Sequence, residues 1–303
     1  MNGIINVYKE KGYTSHDVVA KLRGILKQKK IGHTGTLDPQ AEGVLPVCIG
    51  NATKLCDLLT DKTKEYEAVL LLGVTTDTQD MTGAVLSEKT VQVEEDKLRA
   101  IMEGFVGKSR QIPPMYSALK VNGKKLYELA REGREVERKP RDIEIFSLDI
   151  LEMQLPRVRF CVHCSKGTYI RTLCQDIGEK AGCGGCMEEL LRTRVDRFSL
   201  AEAHKLSEIE QIRDAGKLSE ILIPVDQMFL SYPKVTVLEK YRLALANGNS
   251  FTAQMLADAE DVAAQIHDGS LVRVYSAEDV FYGIYQYTQA EKRFIPYKMF
   301  LPQ

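Results

Sequence analysis

The most chemically suggestive feature of the 303-residue chain is a carboxylate held between a leucine and a proline. It lies in GHTGTLDPQAEGVLPVCIG, residues 32 to 50, a stretch more polar and richer in turn formers than packing requires. Pro39 fixes its own φ and restricts Asp38 to an extended backbone. Gly32, Gly35 and Gly43 permit tight turns or the close approach of another chain. A carboxylate so presented can act as a nucleophile or stabilise developing positive charge. Taken alone, an Asp before Pro is also an ordinary turn residue.

Four of the seven cysteines have a spacing associated with zinc: Cys161 and Cys164, then Cys183 and Cys186. However, RVRFCVHC reads as a strand, in which residues three apart point to opposite faces, so Cys161 and Cys164 would not reach one metal together. No metal is expected. An odd cysteine count in a chain this long is also not a secreted disulfide framework.

The elements that must position such residues can be read from periodicity. Thr14 and Ser15 form a helix cap ahead of HDVVAKLRGILK, whose apolar residues recur at helical spacing. Gly32 to Pro46 is expected to be loop around a short turn. EYEAVLLLGV, IEIFSLDILEM and RVRFCVHC read as strands, and GKKLYELAREG as a helix ending at Gly133. Thr168 is expected to open a helix, TYIRTLCQDIGEKAG, ending at Gly182. This alternation predicts a mixed α/β domain over 1–232. A smaller unit over 233–303 follows, with a helix in LEKYRLALANG and short strands in SLVRVYS and VFYGIYQYT.

Composition narrows the class. Hydrophobic residues make up 44% and charged residues 27%, an ordinary globular profile. No apolar run is long enough to span a bilayer, and the start MNGIINVYKEKG lacks the features of a signal peptide, so a cytoplasmic protein is expected. Net charge is −1, but it is unevenly spread: residues 105 to 141 hold ten basic and four acidic groups. A polyanion would find its positive surface there.

Several separate motifs, in order, resemble the TruB family of tRNA pseudouridine synthases. They are TSHDVV at 14–19, the Asp38 loop, KEYEAVLLLGVTTDTQD at 64–80, QIPPMYSALKVNGKKLYELAREG at 111–133 and KGTYIRTL at 166–173. The resemblance covers most of the first 230 residues. It implies a largely antiparallel catalytic sheet, followed by a small β-rich, PUA-like RNA-binding domain. The implied activity is isomerisation of uridine 55 in the tRNA T-loop to pseudouridine, without guide RNA, by a monomer that binds the T-arm and elbow. The reaction breaks N1–C1′, rotates the base and rejoins it through C5. It is redox-neutral, so no cofactor is implied.

By the same resemblance, Asp38 is the catalytic carboxylate, attacking sugar or base or stabilising charge at C1′. Arg171 pairs with Asp38 and keeps it ionised. Tyr66 stacks on the target base and assists proton transfer, while Tyr169 and Leu190 pack around the flipped base. His33 fills the place the base has left. Lys9, Arg131, Arg134, Arg141, Arg192 and Arg194 are candidate RNA contacts. The chain departs from the family pattern in reading Lys9-Glu10 for Lys-Pro. Cys186 replaces a more usual His, Leu191 a common second Arg and Asp196 a common Gly. KRFIPYKMF, near the C-terminus, interleaves bases and aromatics as an RNA-contact strip would. Two alternative settings remain open: a tRNA-folding chaperone, and the catalytic subunit of a guide-RNA particle.

Overall fold

The computed structural model describes residues 1–257 and 266–301. The chain opens with strand β1 (Gly3–Lys9), helix α1 (Ser15–Leu26), β2 (Ile31–His33) and β3 (Glu42–Ile49). The cap of α1 is the one expected: Thr14 accepts from the Asp17 backbone, and Asp17 answers with its carboxylate on the Thr14 backbone N–H. The expected loop from Gly32 to Pro46 is shorter than the sequence suggested, because β2 and β3 claim both of its ends. Pro46 lies inside β3 because that strand changes neighbours there. On one side β3 pairs with β1 throughout; on the other, partners are found for Glu42–Gly43 and again for Val47–Ile49. Between those contacts the absent N–H of a proline breaks no ladder.

Next come helix α2 (Cys56–Thr60), β4 (Lys64–Leu72), a hairpin of β5 (Val74–Thr76) and β6 (Val85–Glu88), α3 (Glu95–Glu103) and β7 (Gly107–Gln111). A second small hairpin, β8 (Lys120–Val121) and β9 (Lys124–Lys125), leads into α4 (Leu126–Arg131), shorter than GKKLYELAREG suggested. β10 (Arg141–Gln154) and β11 (Arg157–Cys164) form a long antiparallel pair, and α5 (Ile170–Lys180) follows. Tyr169 rather than Thr168 caps α5. β12 (Gly185–Val195) and β13 (Phe198–Ser199) complete a nine-stranded sheet, ordered β1-β3-β12-β4-β11-β10-β7 with β2 and β13 at its side. Its named pairings are antiparallel except β3 with β12, so the mixed, mainly antiparallel α/β fold expected from sequence is the one observed.

β12 was not legible in the sequence, where GCGGC looked like a glycine turn. Two register shifts, between Met187 and Glu189 and between Arg192 and Arg194, break its two-residue alternation. The inner face of the sheet packs Ala68, Leu70, Phe160 and Val162 against Leu173 and Ile177 of α5. Cys161 and Cys164 fall on opposite faces, Cys164 inside that core. All seven thiols are free.

Helices α6 (Leu206–Asp214) and α7 (Leu218–Ile221) brace α1 and β1. A second sheet then forms from β14 (Lys234–Val237), β15 (Phe251–Thr252), β16 (Leu271–Ser276), β17 (Phe281–Thr288) and β18 (Arg293–Met299), in the order β14-β16-β17-β18-β15. The helix expected in LEKYRLALANG is reduced to α8 (Arg242–Ala246). Phe281, Ile284 and Phe300 pack with Ile4, Cys48 and Phe229, joining this sheet to the first. Among the described residues no helix is long and apolar enough to cross a membrane.

Candidate active site

Asp38 sits at the tip of the short loop between β2 and β3, and the loop is held from several sides. Ser15, at the start of α1, accepts from the Leu37 N–H at 2.9 Å, and Leu37 itself is buried in the core. The Pro39 carbonyl accepts from the Gly12 N–H at 2.9 Å and from Lys9 Nζ at 3.1 Å. The Ala41 N–H closes the turn onto the Asp38 carbonyl at 3.1 Å. A loop so tied presents its carboxylate at a fixed place, as catalysis requires.

Arg171 reaches Asp38 from the first turn of α5. Its Nε lies 3.0 Å from Asp38 Oδ2, with the Arg171 side chain 7% exposed and that of Asp38 40%. The guanidinium is fixed at its other end as well: Nη1 donates to the Thr78 carbonyl at 3.1 Å and Nη2 to the Tyr116 carbonyl at 2.9 Å. Asp80 Oδ2 stands 3.6 Å from Nη1. This second carboxylate was missed in the sequence, where it only ends the TTDTQD motif. Its position emerges when the β5–β6 hairpin folds back over α5. Burial pushes the Asp38 carboxyl above its usual range; Arg171, and more weakly Lys9, hold it down, while Asp80 pushes it up.

The pair lies on the floor of a cleft of about 1340 Å³. Tyr66 from β4, Leu190 and Arg192 from β12, and Tyr169 at the start of α5 line it too, and Lys108, Arg110, Arg141 and Lys166 supply positive charge. Tyr169 is fixed through its backbone, its N–H donating to Gln111 Oε1 and its carbonyl accepting from Gln111 Nε2, at 2.8 and 3.0 Å. The cleft therefore combines an ion-paired carboxylate, two phenols, an apolar side chain and cationic walls. Such a surface can accept an extruded base and the phosphates beside it.

The remaining predicted residues are placed differently. His33 lines a separate hollow of about 550 Å³ with His16, Arg23, Lys29 and Lys30. Its ring meets His16 edge-on at 5.3 Å, and burial pushes it down to about 4, so it is neutral at pH 7. Arg131, Arg134 and Arg141 are exposed, and Arg141 reaches the cleft. Arg194 is exposed on the opposite face of the sheet, paired with Glu65 at 2.7 Å. Lys9 requires correction as an RNA contact: it is 0% exposed and spends its ammonium on the backbone of the Asp38 loop. Arg192 is equally buried, at 1%. Neither residue could be told from a surface cation by its type. Among the described residues, no group of three or more His, Cys, Asp or Glu is placed to hold a metal.

Residues 23–170 match the family model of the TruB family pseudouridylate synthase N-terminal domain, and residues 171–230 that of the tRNA pseudouridylate synthase B C-terminal domain. The chain is 57% identical over 312 residues to the tRNA pseudouridine synthase B of Lachnoclostridium phytofermentans, covering 99% of this chain and 100% of that one. It is 45% identical over 298 residues to that of Alkaliphilus oremlandii, covering 97% of each. Among solved structures it resembles a chain of a Cbf5-Nop10-Gar1 complex, with a TM-score of 0.71 and 28% identity over 99% of this chain and 85% of the other. A chain of an H/ACA RNP bound to a substrate RNA containing 2′-deoxyuridine gives 0.70 and 26%, again over 99% and 85%.

Proposed function

Since the chain belongs to the TruB family of pseudouridylate synthases, we propose that it isomerises uridine 55 in the T-loop of tRNA, with Asp38 as its catalytic carboxylate. The observation that carries this reading is the 3.0 Å contact of Asp38 with a nearly buried Arg171 on the floor of a base-sized, cation-walled cleft. The guanidinium keeps the carboxylate ionised against burial and orients it. Asp38 Oδ2 is committed to Arg171, and Oδ1 has no partner among the described residues, which leaves it free to meet the nucleotide. There it attacks sugar or base, or steadies positive charge at C1′ as the glycosidic bond opens.

Tyr66 and Tyr169 offer aromatic surface to the flipped uracil, and Leu190 excludes water beside it. Extracting a base from its stack costs a few kcal/mol, which these contacts offset in part. His33, outside the cleft and neutral at pH 7, is suited to fill the vacated place in the RNA. Arg131, Arg134 and Arg141, together with the second sheet, extend the surface toward the T-arm and elbow. Residues 233–303 would be the RNA-binding unit. The reading includes a monomer acting in the cytoplasm without guide RNA, cofactor or metal. The structural neighbours come from guide-RNA particles, so the same chemistry within such a particle is the second reading.

The test is to map pseudouridine in tRNA after incubation with wild-type and Asp38→Ala protein. Wild type alone is expected to convert uridine 55, and the variant to be slower by about 10³-fold or more while still binding tRNA. Turnover by Asp38→Ala at the wild-type rate would sink the assignment. Conversion only after guide RNA and partner proteins are added would favour the second reading.

A further inference from the structure

Arg192 ranks among the largest fully buried side chains, yet it forms no ion pair with any carboxylate among the described residues. Its Nε donates to the Val44 carbonyl at 2.7 Å and Nη2 to the Gly35 carbonyl at 3.3 Å, at the two ends of the Asp38 loop. The remaining polar contact is the Tyr66 hydroxyl. The two residues are direct cross-strand partners in the β4–β12 register, and both line the cleft. Gly43 makes this seat possible. Its φ is +104°, and a Cβ there would stand 2.3 Å from the Arg192 carbonyl oxygen.

The charges around Arg192 give it no other reason to be buried. Lys9 and Lys64 are both pushed down to about 8, chiefly by burial, and Arg192 adds to that push. His33 is pushed down in the same way. Burying a guanidinium among other cations is costly, and surface residues of the same type on the outer face of the sheet avoid that cost. A phenol oxygen is the one acceptor present that gains from the charge by becoming an anion.

We propose that Arg192 is a positioning residue that holds the Tyr66 oxygen as the proton acceptor of the isomerisation. The inference rests on the synthase reading above. Once C1′ has joined C5, that carbon carries both the sugar and its original hydrogen. The C5–H bond then breaks, and its electron pair restores the C5–C6 double bond. The N1–C6 pair returns to N1, which takes a proton from water. The C5 proton goes to the phenolate oxygen of Tyr66, whose own proton has already left to solvent.

Burial raises the Tyr66 phenol above its ordinary range. Three ionisable groups face it: Arg192 from β12, Cys164 from β11 and Asp38 from its loop. Cys164 is itself pushed up to about 12 and stays neutral, and the Asp38 charge opposes the phenolate. Arg192 is therefore the group that favours it, by charge and by hydrogen bond.

The test measures single-turnover pseudouridine formation on an unmodified tRNA transcript between about pH 6 and about pH 10. The proteins are wild type, Arg192→Gln and Arg192→Lys, each also made with the more acidic 3-fluorotyrosine at position 66. The wild-type rate is expected to rise with pH and level off. In Arg192→Gln the rise should move up by about one unit or more, with a neutral-pH rate about tenfold lower and tRNA affinity unchanged. Arg192→Lys, which keeps the charge, should stay within about half a unit of wild type. Fluorotyrosine should move the wild-type rise to lower pH and restore much of the rate of Arg192→Gln. If Gln and Lys slow the reaction equally with an unshifted profile, or fluorotyrosine restores nothing, the inference is overturned while the synthase reading stands. If wild type makes no pseudouridine, the synthase reading falls and takes the inference with it. Should Arg192→Gln not fold, Arg192→Lys and fluorotyrosine in the wild type decide alone: an unmoved rise in the latter overturns the proposal.

Discussion

Two arginines separated by a single residue in β12 meet opposite environments. Arg192 is sealed beneath the cleft, while Arg194 is half exposed on the outer face, in a bidentate-capable contact with Glu65. The outer face continues that pattern across β4, β11 and β12. Arg159 pairs with Glu67 at 2.7 Å, and Arg157 with Glu188 at 2.7 Å. There, charge is matched with charge in reach of water, and each pair adds little. On the inner face, Lys9, Lys64 and Arg192 are withdrawn from water and bonded mainly to carbonyls. The lesson is that one sheet keeps its balanced charges where they cost little and its unbalanced ones where the chemistry is.

That contrast is open to attack, starting from the inner face. Arg171→Met is expected to lower turnover by about 10³-fold. Its residual activity should also fail at higher pH than the wild type's as the solution is acidified, because burial of Asp38 is no longer opposed by the guanidinium. Rates measured from acid to neutral pH check both. Asp80→Asn leaves Arg171 in contact with Asp38 but unfixed at Nη1, and should cost about 10- to 100-fold in kcat with little change in KM. An unchanged kcat would remove Asp80 from the site.

Lys9→Met separates function from stability. Turnover should fall about tenfold as the Pro39 anchor is lost, while stability at pH 7 rises by about 1–2 kcal/mol, because a buried charge is gone. The pH dependence follows in sign. Folding lowers the Lys9 value from 10.5 to about 8, so between those values the unfolded chain holds the proton the folded one has released. Stability of the wild type therefore gains with rising pH across that window, and the gain should be smaller in Lys9→Met, where Lys64 alone remains. Denaturant midpoints at two pH values decide it. Least affected should be Arg194→Ala and Arg159→Ala, each within about 1 kcal/mol in stability, with unchanged turnover. A large loss of activity in either would show that the two faces are not functionally distinct.

Much of the scaffold was legible because local chemistry dictated it. The Thr14 cap, the apolar run of β4 and the alternating strands β10 and β11 needed no tertiary information to be recognised. Motif order likewise drew attention to Asp38, Tyr66, Tyr169, Arg171 and Leu190, which all line one cleft. The fate of the lysine and arginine side chains was not legible. Lys9 looked like a surface base but is the tie of a loop thirty residues away. Asp80 could not be paired with Arg171 before the hairpin was folded.

The sequence by itself determined the loop that carries the carboxylate, since proline and glycine restrict or free a backbone wherever they stand, and it determined the elements that flank that loop. Only the tertiary structure decided which way β12 turns its arginines. Strict alternation would put residues 192 and 194 on one face. The extra residue in the β12 register against β4 separates them, sending Arg192 to Tyr66 and Arg194 to Glu65. A bulge is set by the partner strand, and periodicity in one strand carries no trace of it.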